Sequence, residues 1–207
     1  MSPSANTLST PPSACPHCGL RYQCVCDQQP ILSSPLNLAL LTHPNELTRT
    51  TNTGKLLQCL PHCQCHIWDR VNPPAALLEQ IKQQPTYVVF PSEEAIEAST
   101  LRTQSPHPNT SPLLIILDGT WQEANKMLNK SPWLKELPKI TLQPKQASHY
   151  ALRRNQAAGN LCTCEVGIGL LSELNMSSEA EIAQLQDYFE LFLKVYEEDR
   201  NHRVYKS

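Results

Sequence analysis

Charge is scarce in this chain. Asp, Glu, Lys and Arg make up 17% of its 207 residues, against about 25% in an ordinary soluble domain, and the formal net charge is only -2. A uniformly basic coat for nucleic acid is thereby excluded, although a local patch is not. Glycine is sparse at 6 while proline reaches 18, so the loops are stiff and proline-built. No long apolar run exists: the longest, Leu113 to Leu117, has five residues, where a membrane helix needs about 20. The first residues, MSPSANTLST, lack the basic and apolar stretches of a secretory signal. These absences predict a cytoplasmic protein without a membrane span, whose thiols stay reduced. Nine Cys then need an explanation other than disulfides, and an odd count does not favour a disulfide framework.

What is present is a hydrophobic content of 40% in a length suited to one packed domain with a small appendage. Residues 1–13 are mostly Ser, Pro, Thr and Asn, a composition that predicts a disordered tail. Residues 14–30 hold the dense cluster CPHCGLRYQCVC, too short for a core of its own, which must be stapled or docked. From residue 31 to 207 the texture is that of a single larger domain. Short apolar runs at 36–42, 65–68, 86–90, 113–117 and 139–142 predict buried strands, and helical stretches are expected at 53–60, 75–84, 93–99 and 120–129. The alternation predicts an α/β fold with a mostly parallel sheet flanked by helices. Residues 101–112 are proline-rich and read as a loop. The last helix is the clearest: Ser177 or Ser178 caps it, and Ile182, Leu185, Phe189, Phe192, Leu193 and Tyr196 recur at helical spacing.

The small net charge conceals an uneven distribution. Between Lys126 and Arg154 seven basic residues stand against Glu136 alone, whereas between Glu173 and Asp199 eight acids stand against Lys194. The first region can attract phosphate and the second would repel it; a solvated helix face is the plainer reading of either.

Several constellations can carry chemistry. Cys15, Cys18, Cys24 and Cys26 form a C-x2-C-x5-C-x-C array, two close pairs that bring four thiolates to tetrahedral spacing and predict structural zinc. Incidental pairs in a mobile arm, or His17 as a ligand, are the other readings. Cys59, His62, Cys63, Cys65 and His66 have less regular spacing and read as core and turn residues before a second metal site. TNTGKLL invites a phosphate-loop reading that fails, because Arg49 stands where the pattern needs its first Gly and Leu56 follows the Lys in place of a hydroxyl. The polar string His43, Glu46, Arg49, Thr51, Asn52 and Thr53 follows the end of a strand, the edge where open α/β sheets bind ligands. In LLIILDGTWQEANKML a buried strand delivers Asp118 at its carboxyl end, Gly119 permits the turn, and Thr120 opens a helix carrying Trp121. Asp118 there is either a ligand-facing carboxylate or a helix cap with Thr120, and Trp121 either a pocket wall or a core anchor. In YALRRNQAAGNLCTCEVG, Arg153, Arg154, Thr163 and Glu165 surround a Gly-Asn turn, with capping by Thr163 as the competing reading.

Taken in order, the segments CPHC…CVC, HPNELTRTTNTGKLL, DGTW and CTCEV resemble those of the DTW-domain family, the tRNA-uridine aminocarboxypropyltransferases. The likeness covers roughly residues 15 to 198, and KSPWL with its following LP, together with YALRR, matches the bacterial branch. The resemblance implies a SPOUT-like fold with a C-terminal knot, S-adenosylmethionine as co-substrate, and transfer of its 3-amino-3-carboxypropyl group to N3 of a tRNA uridine with release of methylthioadenosine. It implies Asp118 as general base, since N3 must lose a proton before it attacks. Cofactor contacts are implied at Leu117, Gly119, Thr120, Trp121, Leu142, Arg153, Leu161, Thr163 and Glu165, and substrate contacts at Arg49, Asn52, Thr53 and Arg154. Arg49 or Arg153 suits the transferred carboxylate. RNA would engage the basic 126–154 region and a zinc-ribbon-like arm. A SPOUT-like tRNA methyltransferase, and a noncatalytic zinc-ribbon RNA-binding protein, are the alternatives.

Overall fold

The computed structural model describes residues 12–104, 111–143 and 161–206. The apolar runs become strands β1 (Asn37–Thr42), β2 (Cys63–Ile67), β3 (Thr86–Val89), β5 (Leu113–Asp118) and β6 (Lys139–Thr141), joined by a two-residue β4 (Ile96–Glu97). They form one sheet in the order β2-β1-β5-β3-β6-β4, with every pairing parallel. A parallel sheet is covered on both faces, which is why β5 can be apolar at five consecutive positions.

Strand alternation divides the interior into two cores. Leu38, Leu40, Leu114, Ile116 and Ile140 face one way, toward α5 (Thr163–Glu173) and α6 (Glu179–Arg200). Ala39, Leu41, Val88, Leu113, Ile115 and Leu117 face the other, toward α1 (Ala75–Gln83), α3 (Trp121–Lys130) and α4 (Pro132–Lys135). The mostly parallel, helix-flanked sheet expected from the sequence is therefore what forms. Ser178 caps α6 with a reciprocal Glu181 bond, and Leu185, Phe189, Phe192 and Tyr196 are buried along it as the spacing requires.

Four elements depart from expectation. The run at 65–68, expected as a buried strand, falls in β2, an edge strand with no buried residue. The stretch 93–99 is not a helix: Ile96 and Glu97 pair with Ile140 and Thr141, a tertiary contact that outweighs helical propensity, and a 3-10 turn Ala98–Thr100 leads into α2 (Leu101–Gln104). That short helix replaces the start of the expected 101–112 loop, of which 105–110 lie outside the described residues. The helix expected at 53–60 is the 3-10 turn Gly54–Cys59, closed by Leu56 N–H to Thr53 C=O and Leu60 N–H to Leu57 C=O.

The cysteine arm docks on the larger body of the chain, as a segment too short for its own core requires. Cys18, Leu20 and Val25 belong to the core that contains α5 and α6, and the Arg21 and Tyr22 N–H groups both donate to Asp199 Oδ1 at 2.7 Å. The tail expected at 1–13 falls largely on residues outside the described ones. Among the described residues no helix is long and apolar enough to cross a membrane.

The connectivity fixes where a ligand fits. The chain leaves β1 toward β2 on one side and leaves the adjacent β5 toward β6 on the other, so a crevice opens outside their carboxyl ends. Both strands end together, with Thr42 opposite Asp118.

Candidate active site

Asp118 closes β5 on the side that faces α5, and it is 3% exposed. Its carboxylate is held by three uncharged donors: Thr42 Oγ1 at 3.0 Å and Asn52 Nδ2 at 2.9 Å to Oδ2, and Thr163 Oγ1 at 2.8 Å to Oδ1. Burial pushes the Asp118 carboxyl above the usual carboxylate range, and the bonds from Asn52, Thr163 and Thr42 only partly offset this. The donors come from segments of chain far apart in sequence, so the crevice is organised around this one group. Asn52 is itself fixed, because its Oδ1 accepts from the Gly54 N–H at 2.7 Å. Gly54 cannot carry a side chain: an added Cβ would stand 2.8 Å from Asp118 Cγ.

Thr163 reaches Asp118 because it does not cap α5. The competing reading of Thr163 as the cap does not hold: Cys162 is the N-cap and Glu165 Oε2 accepts its N–H at 2.8 Å, which leaves the Thr163 hydroxyl for the carboxylate. Thr53 is buried and accepts the Cys164 N–H at 3.3 Å, tying the 52–54 turn to the start of α5.

On the other side of the turn sits a second carboxylate in a different setting. Glu123 Oε2 accepts from the Thr120 N–H at 2.9 Å and from Thr120 Oγ1 at 2.8 Å, completing a capping box. Arg49 bonds it bidentately at 2.7 and 3.0 Å and also meets the buried Glu46. Asn45 Nδ2 donates to Glu123 at 2.9 Å. Burial alone would raise its titration, yet Arg49 and Thr120 outweigh burial and hold Glu123 far below the usual carboxylate range. Arg49, in turn, is held protonated by Glu123 first, and then by Glu46. The Arg49 expected to clamp a substrate carboxylate is thus already paired with two protein carboxylates. Glu46 belongs to the polar string read from the sequence, whereas Glu123 and Thr42 are not among the residues expected there, although the Thr120-x-x-Glu123 spacing signals the capping box.

The other expected residues scatter around this centre. Leu117 is buried in the second core, Leu142 packs half-buried against the first, and Leu161 is half-buried beside the α5 cap. Gly119 adjoins Asp118 with an ordinary φ, so its turn is not left-handed. Trp121 is 48% exposed and stacked on Phe90, with ring centroids 5.0 Å apart and planes 5° from parallel. It is not a core anchor. Arg153 and Arg154 lie outside the described residues.

The four N-terminal cysteines converge. Their sulfurs all lie within 4.8 Å of one another, with Cys15–Cys26 and Cys18–Cys24 at 3.8 Å and Cys24–Cys15 at 3.6 Å. A tetrahedral zinc with bonds of about 2.3 Å has ligand edges of about 3.8 Å, so the donor set fits. Gly19, at φ 81°, makes the turn after Cys18. Among the described residues this is the one such cluster. Cys59 and Cys63 are packed thiols, pushed by burial up to about 11 and about 12, and Cys65 Sγ lies 3.3 Å from Thr42 Oγ1.

The DTW domain model matches residues 12–197. The chain is 27% identical over 83% of its length to tRNA-uridine aminocarboxypropyltransferase 2 of Mus musculus, of which it covers 61%. It is 26% identical over 79% of its length to the Macaca fascicularis protein of that name and 28% identical over 69% to that of Drosophila melanogaster, covering 57% of each. The chain thus spans about three-fifths of the length of the curated relatives it matches. No solved structure matches it. With almost the whole described chain inside one family model, the chain belongs to the DTW-domain family.

Proposed function

We propose that this protein transfers the 3-amino-3-carboxypropyl group of S-adenosylmethionine to N3 of a uridine in tRNA, releasing methylthioadenosine. The observation that carries the reading is Asp118, a buried carboxylate at the crevice of a parallel sheet, with raised affinity for a proton and three uncharged donors around it. A carboxylate offers about four acceptor directions; Thr42, Asn52 and Thr163 take three, and the fourth accepts the proton of uracil N3. As that proton moves to Asp118, the N3 lone pair forms a bond to the methionyl γ-carbon, and the carbon–sulfur pair leaves with methylthioadenosine. Rate comes mainly from alignment of that carbon with N3 in place of the methyl, a positioning task. Leu117, Gly119, Leu142, Leu161, Thr163 and Glu165, with Arg153 from outside the described residues, are the proposed cofactor contacts; Thr53 and Arg154 are proposed on the RNA side. Arg49 and Asn52 act by holding Glu123 and Asp118. A SPOUT-like knot is proposed for the C-terminal part, supported by the parallel sheet and by a crevice at its carboxyl ends.

Cys15, Cys18, Cys24 and Cys26 are proposed to hold a structural zinc. Four protein ligands leave no open position for a substrate, so the ion acts by fixing the arm against α6. The protein is proposed to act in the cytoplasm.

The test is incubation of the purified full chain with unmodified tRNA and S-adenosylmethionine, followed by identification of the small product and the modified nucleoside. Methylthioadenosine together with an aminocarboxypropyl-uridine is expected. S-adenosylhomocysteine would instead make the protein a methyltransferase, and tRNA binding without S-adenosylmethionine binding would make it a noncatalytic RNA-binding protein.

A further inference from the structure

α3 begins three residues after Asp118, at the rim of the crevice, and the outward face of that helix has a distinct composition. Its inward positions, Ala124, Met127 and Leu128, are buried in the second core. Its one acid, Glu123, is turned into the Arg49 cluster. What remains outward is Trp121, Gln122, Lys126, Asn129 and Lys130, all exposed, a strip with two cations, two amides, one indole and no carboxylate. Among the described residues neither lysine forms an ion pair.

The indole distinguishes this strip from a merely solvated helix face. Trp121 keeps 48% of its surface exposed, yet it is not loose, because Phe90 lies flat beneath it. Phe90 is 7% exposed and packs in the second core, so the platform is anchored on the sheet. A large aromatic ring held rigidly in water forgoes burial that it would otherwise gain, and stacking of a base restores it. The location agrees: Trp121 follows Asp118 by three residues, at most about 10 Å of chain, so a base flanking the reacting uridine is within reach. The opposite layer has the opposite character, since α6 presents Glu179, Asp187, Glu190 and Glu197 to solvent, a face that repels phosphate.

We propose that the exposed face of α3 is the docking surface for single-stranded RNA beside the crevice, with Trp121 stacking on an unpaired base and Lys126 and Lys130 contacting phosphates. This rests on the reading of the protein as a tRNA-modifying enzyme and names the surface that binds the substrate. It places Trp121 on the RNA and outside the wall of the cofactor pocket.

The experiment measures tRNA affinity over a range of salt, and S-adenosylmethionine affinity by calorimetry, on the full zinc-loaded chain. Trp121→Ala is expected to weaken tRNA binding about tenfold, as removal of one base stack does, with S-adenosylmethionine binding unchanged; Trp121→Phe restores most of it. The Lys126→Ala/Lys130→Ala double variant is expected to lower the slope of log K against log salt by about 1.4, about 0.7 for each single-strand phosphate no longer neutralised. Wild-type tRNA affinity in Trp121→Ala overturns the proposal, as does failure to bind S-adenosylmethionine with tRNA binding intact. Should Trp121→Ala melt early, Lys126→Glu decides, because the side chain it replaces is exposed: an unchanged salt slope there overturns the proposal too. Formation of methylthioadenosine by the wild-type chain separates these failures from failure of the transferase reading itself.

Discussion

Asp118 and Glu123 are carboxylates five residues apart on one turn of chain, and their surroundings drive them in opposite directions. Asp118 faces the first core among a threonine, an asparagine and a second threonine, all uncharged, and its affinity for protons rises. Glu123 faces away, bonded by Arg49 and capping α3, and its affinity for protons falls. Two carboxylates separated in this way divide the tasks: one can take up a proton, and the other holds the frame as a permanent anion. The lesson is that proximity to the motif does not give a carboxylate its role. Its partners do.

The strongest way to break this comparison is Asp118→Asn. Removing a general base is expected to lower the transfer rate about 100- to 10,000-fold, while Tm stays within a few degrees. The sign follows from linkage: a carboxyl raised in the folded state contributes stability below its unfolded value of 3.8 and loses it as pH rises through the folded value. At neutral pH an uncharged amide therefore removes a cost. A rate close to wild type, measured in single turnover, would end the proposal for Asp118.

A control for simple destabilisation is the cysteine cluster, which bonds neither carboxylate. Cys18→Ser removes one ligand from the cluster and loosens a residue of the shared core, so Tm is expected to fall by roughly 10 °C, and a chelator should lower wild-type Tm similarly. Activity should then follow the folded fraction. Cys65→Ser, whose thiol lies outside the cluster, should change Tm by only about 1 °C.

Glu123→Gln probes the other half of the comparison. Leaving Arg49 with Glu46 as its remaining carboxylate partner is expected to cost about 1.5 kcal/mol, or roughly 3–6 °C in Tm. The wild-type pair contributes stability above the unfolded value near 4.5 and loses it as pH falls toward the depressed folded value. Thermal melting between pH 3 and 7 should accordingly be steeper in acid for wild type than for Glu123→Gln, and parallel curves would refute the assignment. The smallest effect is expected from Thr163→Val, which deletes one donor to Asp118 and moves the acid limb of the rate profile upward by less than about one pH unit.

Much of this architecture is legible in the residues. β1 and β5 contain continuous apolar runs, and such runs mark strands buried on both faces. The four N-terminal cysteines are legible as well, because their spacing alone constrains them. β4 is not, since two residues at a sheet edge carry no periodicity and are decided by the pairing of Ile96 with Ile140. The Arg49–Glu123 pair is hidden for another reason: its members are 74 positions apart, and only the fold brings them together. A one-residue shift of the α5 cap, from Thr163 to Cys162, likewise depends on tertiary contact, yet it decides whether Thr163 is a cap or a hydrogen-bond donor to Asp118.

The most direct test of the general-base role is the pH dependence of single-turnover transfer, with S-adenosylmethionine and tRNA saturating, in wild type and in Glu123→Gln. If Asp118 takes the N3 proton, the rate declines on acidification with a midpoint above the ordinary carboxylate range, and Glu123→Gln keeps that midpoint. A wild-type rate that stays flat down to pH about 4, or a midpoint that moves with Glu123, would contradict it.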